Sequence, residues 1–482
     1  MNANIRRVGW AVTFLMLVLV GQLTYLQVFK AKALENDPRN IRTQVRDYSR
    51  PRGEILTSDG EIVARSVPSH DEFKYQREYP LGELFAHVSG YHSFLHGNAG
   101  VEASYNSVLV GRDFQQQSLD LGNLTTDRPN TGTVVLSLSR FAQETAKAAL
   151  GSQQGSVVVV EPSTGAIVAM YTNPSYDPNP LAGHDPTKVQ AYYDLLNALP
   201  SKPALPRAFA EIYAPGSTFK VVTTSAGLET GVTTVDTVYP RLRELPLPNT
   251  DKTIRNFGGA VCGGTLAESF RVSCNTTFAQ LGLDLRERFV PAMSQFGVGH
   301  KPPLDIAGAA ASIGLQGRPF PLNQPFYAQA GIGQGFIAAS PLQMALVAAA
   351  IANNGAIMQP HVVGEVRDSD GAVVRRTTPR AWTVGTTPEV AAQVKDLMIS
   401  VVEHGTGTRA QVPGVRVAGK TGTAQTESGP PHAWFIGFAP AEAPKYAIAV
   451  LVEHGGAKGT EATGGQVAAP IAGQVLKALL SR

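Results

Sequence analysis

Tyr213-Ala214-Pro215-Gly216-Ser217-Thr218-Phe219-Lys220 is the stretch from which the rest of the chain can be read. The residues after it are compatible with a helix to Thr230, with Gly231 as a stop signal. At i and i+3, Ser217 and Lys220 share one helix face, where an amine can reach a hydroxyl. The start of a helix also points free N–H groups and positive dipole at whatever Ser217 attacks. A serine hydroxyl is a weak nucleophile that needs a base, and a lysine serves when its surroundings lower its pKa. Alone, S-x-x-K is weak: it recurs by chance in long chains, where a capping serine and a surface lysine explain it better.

Two further motifs lie downstream. Ser273-Cys274-Asn275 follows a helix whose start, Thr265-Leu266-Ala267-Glu268, reads as a capping box. Its hydroxyl and amide, two positions apart, can hand on a proton and hold a peptide carbonyl. Lys420-Thr421-Gly422-Thr423 sits inside the β-like run Val415 to Gln425. A glycine in mid-strand marks a close backbone approach, so Gly422 fits an edge strand to which a peptide adds. Lys420 with Thr421 or Thr423 then binds a carboxylate through charge and hydroxyls.

Around these motifs, Ser156–Val160 and Gly165–Met170 flank a Pro162-Ser163-Thr164-Gly165 turn and predict a hairpin. Residues 171–216, dense in proline, predict a long loop near a functional site. Helical patterns cover 217–230, 266–282 and 341–353, and β-like runs cover 415–425, 433–438 and 446–452. A last helix is marked by Val467, Ile471, Val475 and Leu479. Strands at both ends around central helices predict an α/β domain whose sheet is completed by distant segments.

The 482 residues, 43% hydrophobic and 16% charged, exclude disorder for the bulk of the chain. A net charge of +3, not gathered into one run, gives no support to a nucleic-acid partner. From Val8 to Phe29 there are 22 residues without a formal charge, enough to span a membrane core of about 30 Å. Ala31-Lys32-Ala33 has the form of a signal cleavage site, but the apolar run is longer than a signal core, so an uncleaved anchor is expected. More cations follow the anchor than precede it, yet large domains translocate largely regardless of charge. The expected organisation is a cytoplasmic tail (1–7), a transmembrane anchor (8–29), a membrane-proximal pedestal of hairpins (30–130, with a polar connection at 113–131) and a catalytic domain (131–482) outside the cytoplasm.

The order and spacing of S-x-x-K, S-x-N and K-T-G resemble the serine transpeptidase family. Flanking residues agree: Tyr213 to Gly216, Gly331-Ile332-Gly333-Gln334-Gly335 with Ser340-Pro341-Leu342-Gln343, Gly419, and Arg52-Gly53 in the pedestal. With no room for a glycosyltransferase domain, the chain is similar to class B penicillin-binding proteins, and its compact pedestal resembles the actinobacterial penicillin-binding protein A type. Cys274 stands where the S-D-N form has Asp, a position at which the family varies. The resemblance implies a β-lactamase-like α/β domain with a central antiparallel sheet flanked by helices. It implies a D,D-transpeptidase that cross-links peptidoglycan stem peptides through an acyl-enzyme on Ser217 and is acylated by β-lactam antibiotics. Lys220 is the implied base, Ser273 the proton relay and Lys420 its polarising partner; Asn275, Thr421, Gly422 and Thr423 bind substrate. A membrane glycan polymerase of the shape, elongation, division and sporulation type is the implied partner, and no cofactor or metal is required. A carboxypeptidase or β-lactamase of the same fold, or a non-catalytic penicillin sensor or scaffold, is the alternative.

Three features stand apart. His87, His92 and His96 cluster in the pedestal but lack the further ligands of a convincing metal site. The glycines at 331, 333 and 335 do not fit a phosphate loop and predict a tight turn. Cys262 and Cys274 are a disulfide candidate, with bridged and free thiols both open, since a bridge needs Cα atoms within about 7 Å.

Overall fold

The computed structural model describes residues 2–26, 30, 48–111, 131–315, 323–426 and 429–482. They fall into two units, 1–51 with 67–76 and 52–66 with 77–482. In the first unit the helix Asn2–Thr24 contains, among the described residues, the one stretch long and apolar enough to cross a membrane by length and composition, Arg6–Thr24. The α-helix runs to Thr24 and continues as a π turn over Tyr25 and Leu26; residues 27–29 of the expected span lie outside the described residues, as does 113–130 of the expected connection. The same unit holds the turn in which Ser69 N–H donates to Lys74 O at 2.7 Å and Phe73 N–H to Asp71 Oδ1 at 3.1 Å.

The second unit contains sheet strands in the spatial order Val373–Arg376, Val363–Arg367, Thr133–Leu136, Ile55–Leu56 and the 62–66 part of the next strand. The hairpin of Ile55–Leu56 with Ile62–Pro68 turns at Asp59-Gly60, where Gly60 takes φ 85°. This sheet crosses the expected boundary at 130/131. Thr133–Leu136 pairs parallel with Ile55–Leu56 on one side and antiparallel with Val363–Arg367 on the other. A two-residue strand has too few ladder bonds to persist alone, so it is held by neighbours recruited from far along the chain.

Beside this sheet Glu102, fully buried, meets Arg52 Nη2 at 2.8 Å and Arg77 Nε at 2.6 Å. Burial pushes its carboxyl up, but the charges of Arg77 and Arg52 outweigh it and bring the pKa down to about 2. The pedestal histidines are engaged separately. His87 Nε2 lies 2.9 Å from Pro203 O, His92 Nδ1 lies 2.6 Å from Asn98 Oδ1, and the His96 ring stacks on Tyr193.

Strands β1 (Gly155–Val160) and β2 (Ile167–Asn173) form the predicted hairpin. Helices α1 (Lys220–Glu229), α2 (Asn275–Leu285) and α3 (Pro341–Ala352) follow. Strands β3 (Ala418–Ala424), β4 (His432–Ala439) and β5 (Tyr446–Val452) and helix α4 (Ala468–Leu480) end the chain. The sheet order is β3-β4-β5-β1-β2, antiparallel throughout, with β3 at the edge and the distant segments joined where Ala447 to Val452 pair with Val160 to Gly155. Every residue of β1 and all of β5 after Tyr446 are buried, which requires cover on both faces. α3, whose side chains are buried from Pro341 to Ile351, packs on β5, β4 and β1, and α4 packs on β5 and β4.

Two expected elements differ. Within 171–216, Pro186–Ala198 is a helix capped by Asp185, which accepts from the Thr187 and Lys188 N–H groups. Pro186 there occupies the first helical position, where a missing N–H costs nothing, and the next proline is Pro200. The predicted helix over 266–282 is two helices, Leu266–Arg271 and α2, broken at Ser273, whose φ is 61°. The capping box of Thr265 and Glu268 at the first of them is present.

Candidate active site

Ser217 lies on a short 3₁₀ turn, Gly216–Phe219, immediately before α1, and is half-buried. Gly216 takes φ 53°, and a Cβ there would stand 2.7 Å from Thr423 O. The 3₁₀ turn eclipses i and i+3, so Ser217 and Lys220 do share a face. The lysine reaches elsewhere, however. Lys220 Nζ donates to Ser273 O at 2.8 Å, Asn275 Oδ1 at 2.8 Å and Ser273 Oγ at 3.2 Å. No hydrogen bond joins it to Ser217 Oγ among the described residues.

Lys420, from the edge strand β3, completes the set by donating to the same Ser273 Oγ at 2.9 Å and to Thr421 O at 3.1 Å. Both lysines are fully buried, and neither has a carboxylate partner among the described residues. Burial lowers Lys420 to about 7. Burial, then the neighbouring Lys420, carries Lys220 well below the ordinary lysine range. Each ammonium also stands over an aromatic ring, Lys220 Nζ 5.2 Å from the Phe278 centroid and Lys420 Nζ 5.6 Å from that of Phe270, contacts that favour the charged form.

The break between the two helices puts Ser273 and Asn275 here. Asn275 is the first residue of α2, its Oδ1 accepting from Lys220 and its Nδ2 donating to Arg255 O at 3.0 Å. Cys274 between them is bonded to Cys262, with Cα atoms 5.8 Å apart. On β3, the Thr421 hydroxyl pairs with that of Thr406 at 2.6 Å, and Thr423 Oγ1 accepts from Gly464 N–H at 3.3 Å. The close approach expected at Gly422 is made by the chain itself. A Cβ there would lie 2.8 Å from Thr218 Cγ2 and 2.9 Å from Pro215 O, so the glycine lets β3 press on the serine turn.

The Gly331–Gly335 turn has the same service: Gly216 N–H donates to Gly333 O at 2.9 Å, and a Cβ on Gly333 would meet Gly216 O at 2.2 Å. Phe270, Phe278 and Thr406 were not singled out from the sequence. The two phenylalanines flank Ser273-Cys274-Asn275 at helical spacing, where they read as core, and Thr406 carries no local signal.

Comparison with known proteins gives the family. Residues 155–477 match the penicillin-binding protein transpeptidase domain, and residues 52–135 match the penicillin-binding protein A dimerisation domain. The chain is 41% identical to the peptidoglycan D,D-transpeptidase PbpA of Mycolicibacterium smegmatis, over 100% of this chain and 99% of that protein. It is 38% identical to PbpA of Mycobacterium tuberculosis, again over 100% and 99%. Among solved structures, the ceftriaxone acyl-enzyme complex of M. tuberculosis penicillin-binding protein A superposes with a TM-score of 0.85 at 36% identity, covering 90% of this chain and all of that one. The penicillin G acyl-enzyme complex gives 0.83 at 37% identity, covering 89% and 100%. With a serine turn, a split-helix S-x-N and a lysine edge strand meeting over two buried amines, the chain belongs to the penicillin-binding protein transpeptidase family.

Proposed function

We infer that this protein is a peptidoglycan D,D-transpeptidase that also binds penicillin covalently. The observation that carries the reading is Ser273 Oγ held between two buried lysines that have no counter-ion among the described residues, beside the turn bearing Ser217.

Ser217 Oγ attacks the carbonyl between the two terminal D-alanines of a stem peptide, its proton passing to neutral Lys220. Three acceptors surround Lys220 Nζ, an arrangement that suits an ammonium, so one bond must open as the amine turns toward Ser217. The backbone N–H groups of Ser217 and Thr423 receive the developing oxyanion, worth a few kcal/mol per donor. The C–N bond to the last alanine breaks, and the proton leaves with that amine through Ser273, polarised by Lys420. An amine of a neighbouring stem then attacks the ester, and the proton it loses returns to Ser217. Asn275 holds the donor peptide, and Thr421 with Thr423 takes its carboxylate, Gly422 keeping the strand against the serine turn. No metal or cofactor enters this scheme. The apolar N-terminal helix anchors the chain with the catalytic unit outside the cytoplasm, where its substrate lies, and a membrane glycan polymerase is the partner this class implies.

The test is intact-protein mass after incubation with a β-lactam, beside Ser217→Ala. A stable adduct on the parent alone is expected. A parent that stays unmodified while the drug survives sinks the reading, and a drug that is consumed catalytically replaces it with a hydrolase.

A further inference from the structure

The segment carrying Ser217 is tied at its upstream end by groups that the acyl-transfer scheme does not use. Tyr213, four residues earlier, exchanges both backbone hydrogen bonds with Ala339, at 3.0 and 2.9 Å. Ala214 O accepts from the Trp434 indole of β4 at 3.1 Å, and the Tyr213 ring packs edge-on against His432 and Trp434. The Tyr213 hydroxyl donates to Glu453 Oε1 at 2.6 Å.

Glu453 follows β5 directly, is 7% exposed, and is held from several directions. Arg207 Nε donates to the same Oε1 at 2.9 Å, Gln154 Nε2 donates to Oε2 at 2.6 Å, and the Glu453 N–H donates to Gln154 O at 2.8 Å. Arg207 is itself fixed, giving Nη1 to Lys202 O at 2.9 Å and Nη2 to Ser201 O at 2.6 Å. The carboxylate is therefore a stationary point at the end of the sheet, its charge balanced by Arg207 and both of its oxygens accepting hydrogen bonds. Of its three side-chain partners, Tyr213 alone leads to the nucleophile. Hydrogen bonds to an ionised acceptor are the stronger kind and give the more exact placement.

We propose that Glu453 is a positioning residue for acyl transfer: fixed by Arg207 and Gln154, it holds Tyr213, and through it the Tyr213–Gly216 segment, so that Ser217 stands in register with Lys220 and β3. This rests on Ser217 being the nucleophile. Glu453 touches no reacting atom in that scheme, and its effect is on the rate of acylation, not on binding.

Tyr213→Phe removes the tether while keeping the ring against Trp434 and His432. It is expected to slow the first-order acylation step of a β-lactam about tenfold, with non-covalent affinity within about twofold and the melting temperature within a few degrees of the parent's. Glu453→Gln moves acylation in the same direction, and the double variant is no slower than the slower single, because both break one tether. Tyr213→Phe acylating at the parent rate, or a rate that falls only with the folded fraction, overturns the proposal and leaves Ser217 as nucleophile. A parent that is never acylated overturns both.

Discussion

Glu102 in the pedestal and the Lys220–Lys420 pair in the catalytic domain are equally buried and electrostatically opposite. Glu102 takes Arg52 and Arg77 at 2.8 and 2.6 Å, with the Tyr79 hydroxyl donating at 3.3 Å. Among the described residues the lysines take only neutral acceptors: Ser273, Asn275 and the Thr421 carbonyl. Both amines reach Ser273 Oγ, so they stand within roughly 6 Å of each other, where two ammonium charges repel by about 3 kcal/mol at an effective dielectric of 20. The first arrangement locks a charge at every physiological pH. The second makes a proton easy to remove, as the roles proposed for Lys220 as base and for Lys420 as the partner that polarises Ser273 require. Burial alone therefore says nothing about role; the sign and number of charged neighbours decide it.

The largest effect that can break this contrast is expected from Lys220→Met. Acylation should fall at least about a thousandfold, while thermal stability stays or rises, because an uncompensated buried amine is replaced by an apolar chain of similar length. A loss of less than tenfold in a stopped-flow acylation assay means that Lys220 is not the base.

Glu102→Gln should do the reverse. Two buried arginines lose their counter-ion, so denaturant titration should give a loss of roughly 3–5 kcal/mol, with acylation per folded molecule unchanged within about twofold. Slower acylation by the folded protein would mean that the pedestal charge acts on the site.

A pH series sharpens the comparison with smaller effects. Glu102 is lowered, so its contribution is fully present above the ordinary carboxylate value near 4.5 and is lost as pH falls toward about 2, roughly 3 kcal/mol in all. The lysines are lowered too, but as cations. Between Lys420's value of about 7 and the ordinary 10.5 the unfolded chain binds more protons, so stability declines as pH falls through that window. Acylation declines in the same direction as the pair gains protons. Melting curves of the parent, Glu102→Gln and Lys420→Met should show the acid-side loss vanish in the first variant and the alkaline-side slope shrink in the second. Unchanged slopes would sink the assignment.

Local chemistry explains what could be read early. The hairpin of β1 and β2 is announced by β-branched runs around Pro162–Gly165, and the capping box by Thr265 and Glu268, because these signals act between residues a few positions apart. The proline-rich segment misled because a proline that begins a helix has the same letter as one that breaks it. Gly422 was legible as a close approach, but the neighbour that comes close, Pro215–Thr218, is about two hundred positions away.

By itself, then, the sequence determined the three motifs and their order, the apolar N-terminal stretch and most strand and helix positions. Those depend on residue type and short-range periodicity. Only the tertiary structure decided that Lys220 turns to Ser273 and Asn275, that Lys420 shares that hydroxyl with no carboxylate partner among the described residues, that strands 363–376 extend the sheet of Thr133–Leu136, and that the Tyr213 hydroxyl meets Glu453. Each is a choice among distant partners, set by burial and by the need to satisfy buried polar groups, and no local pattern carries it.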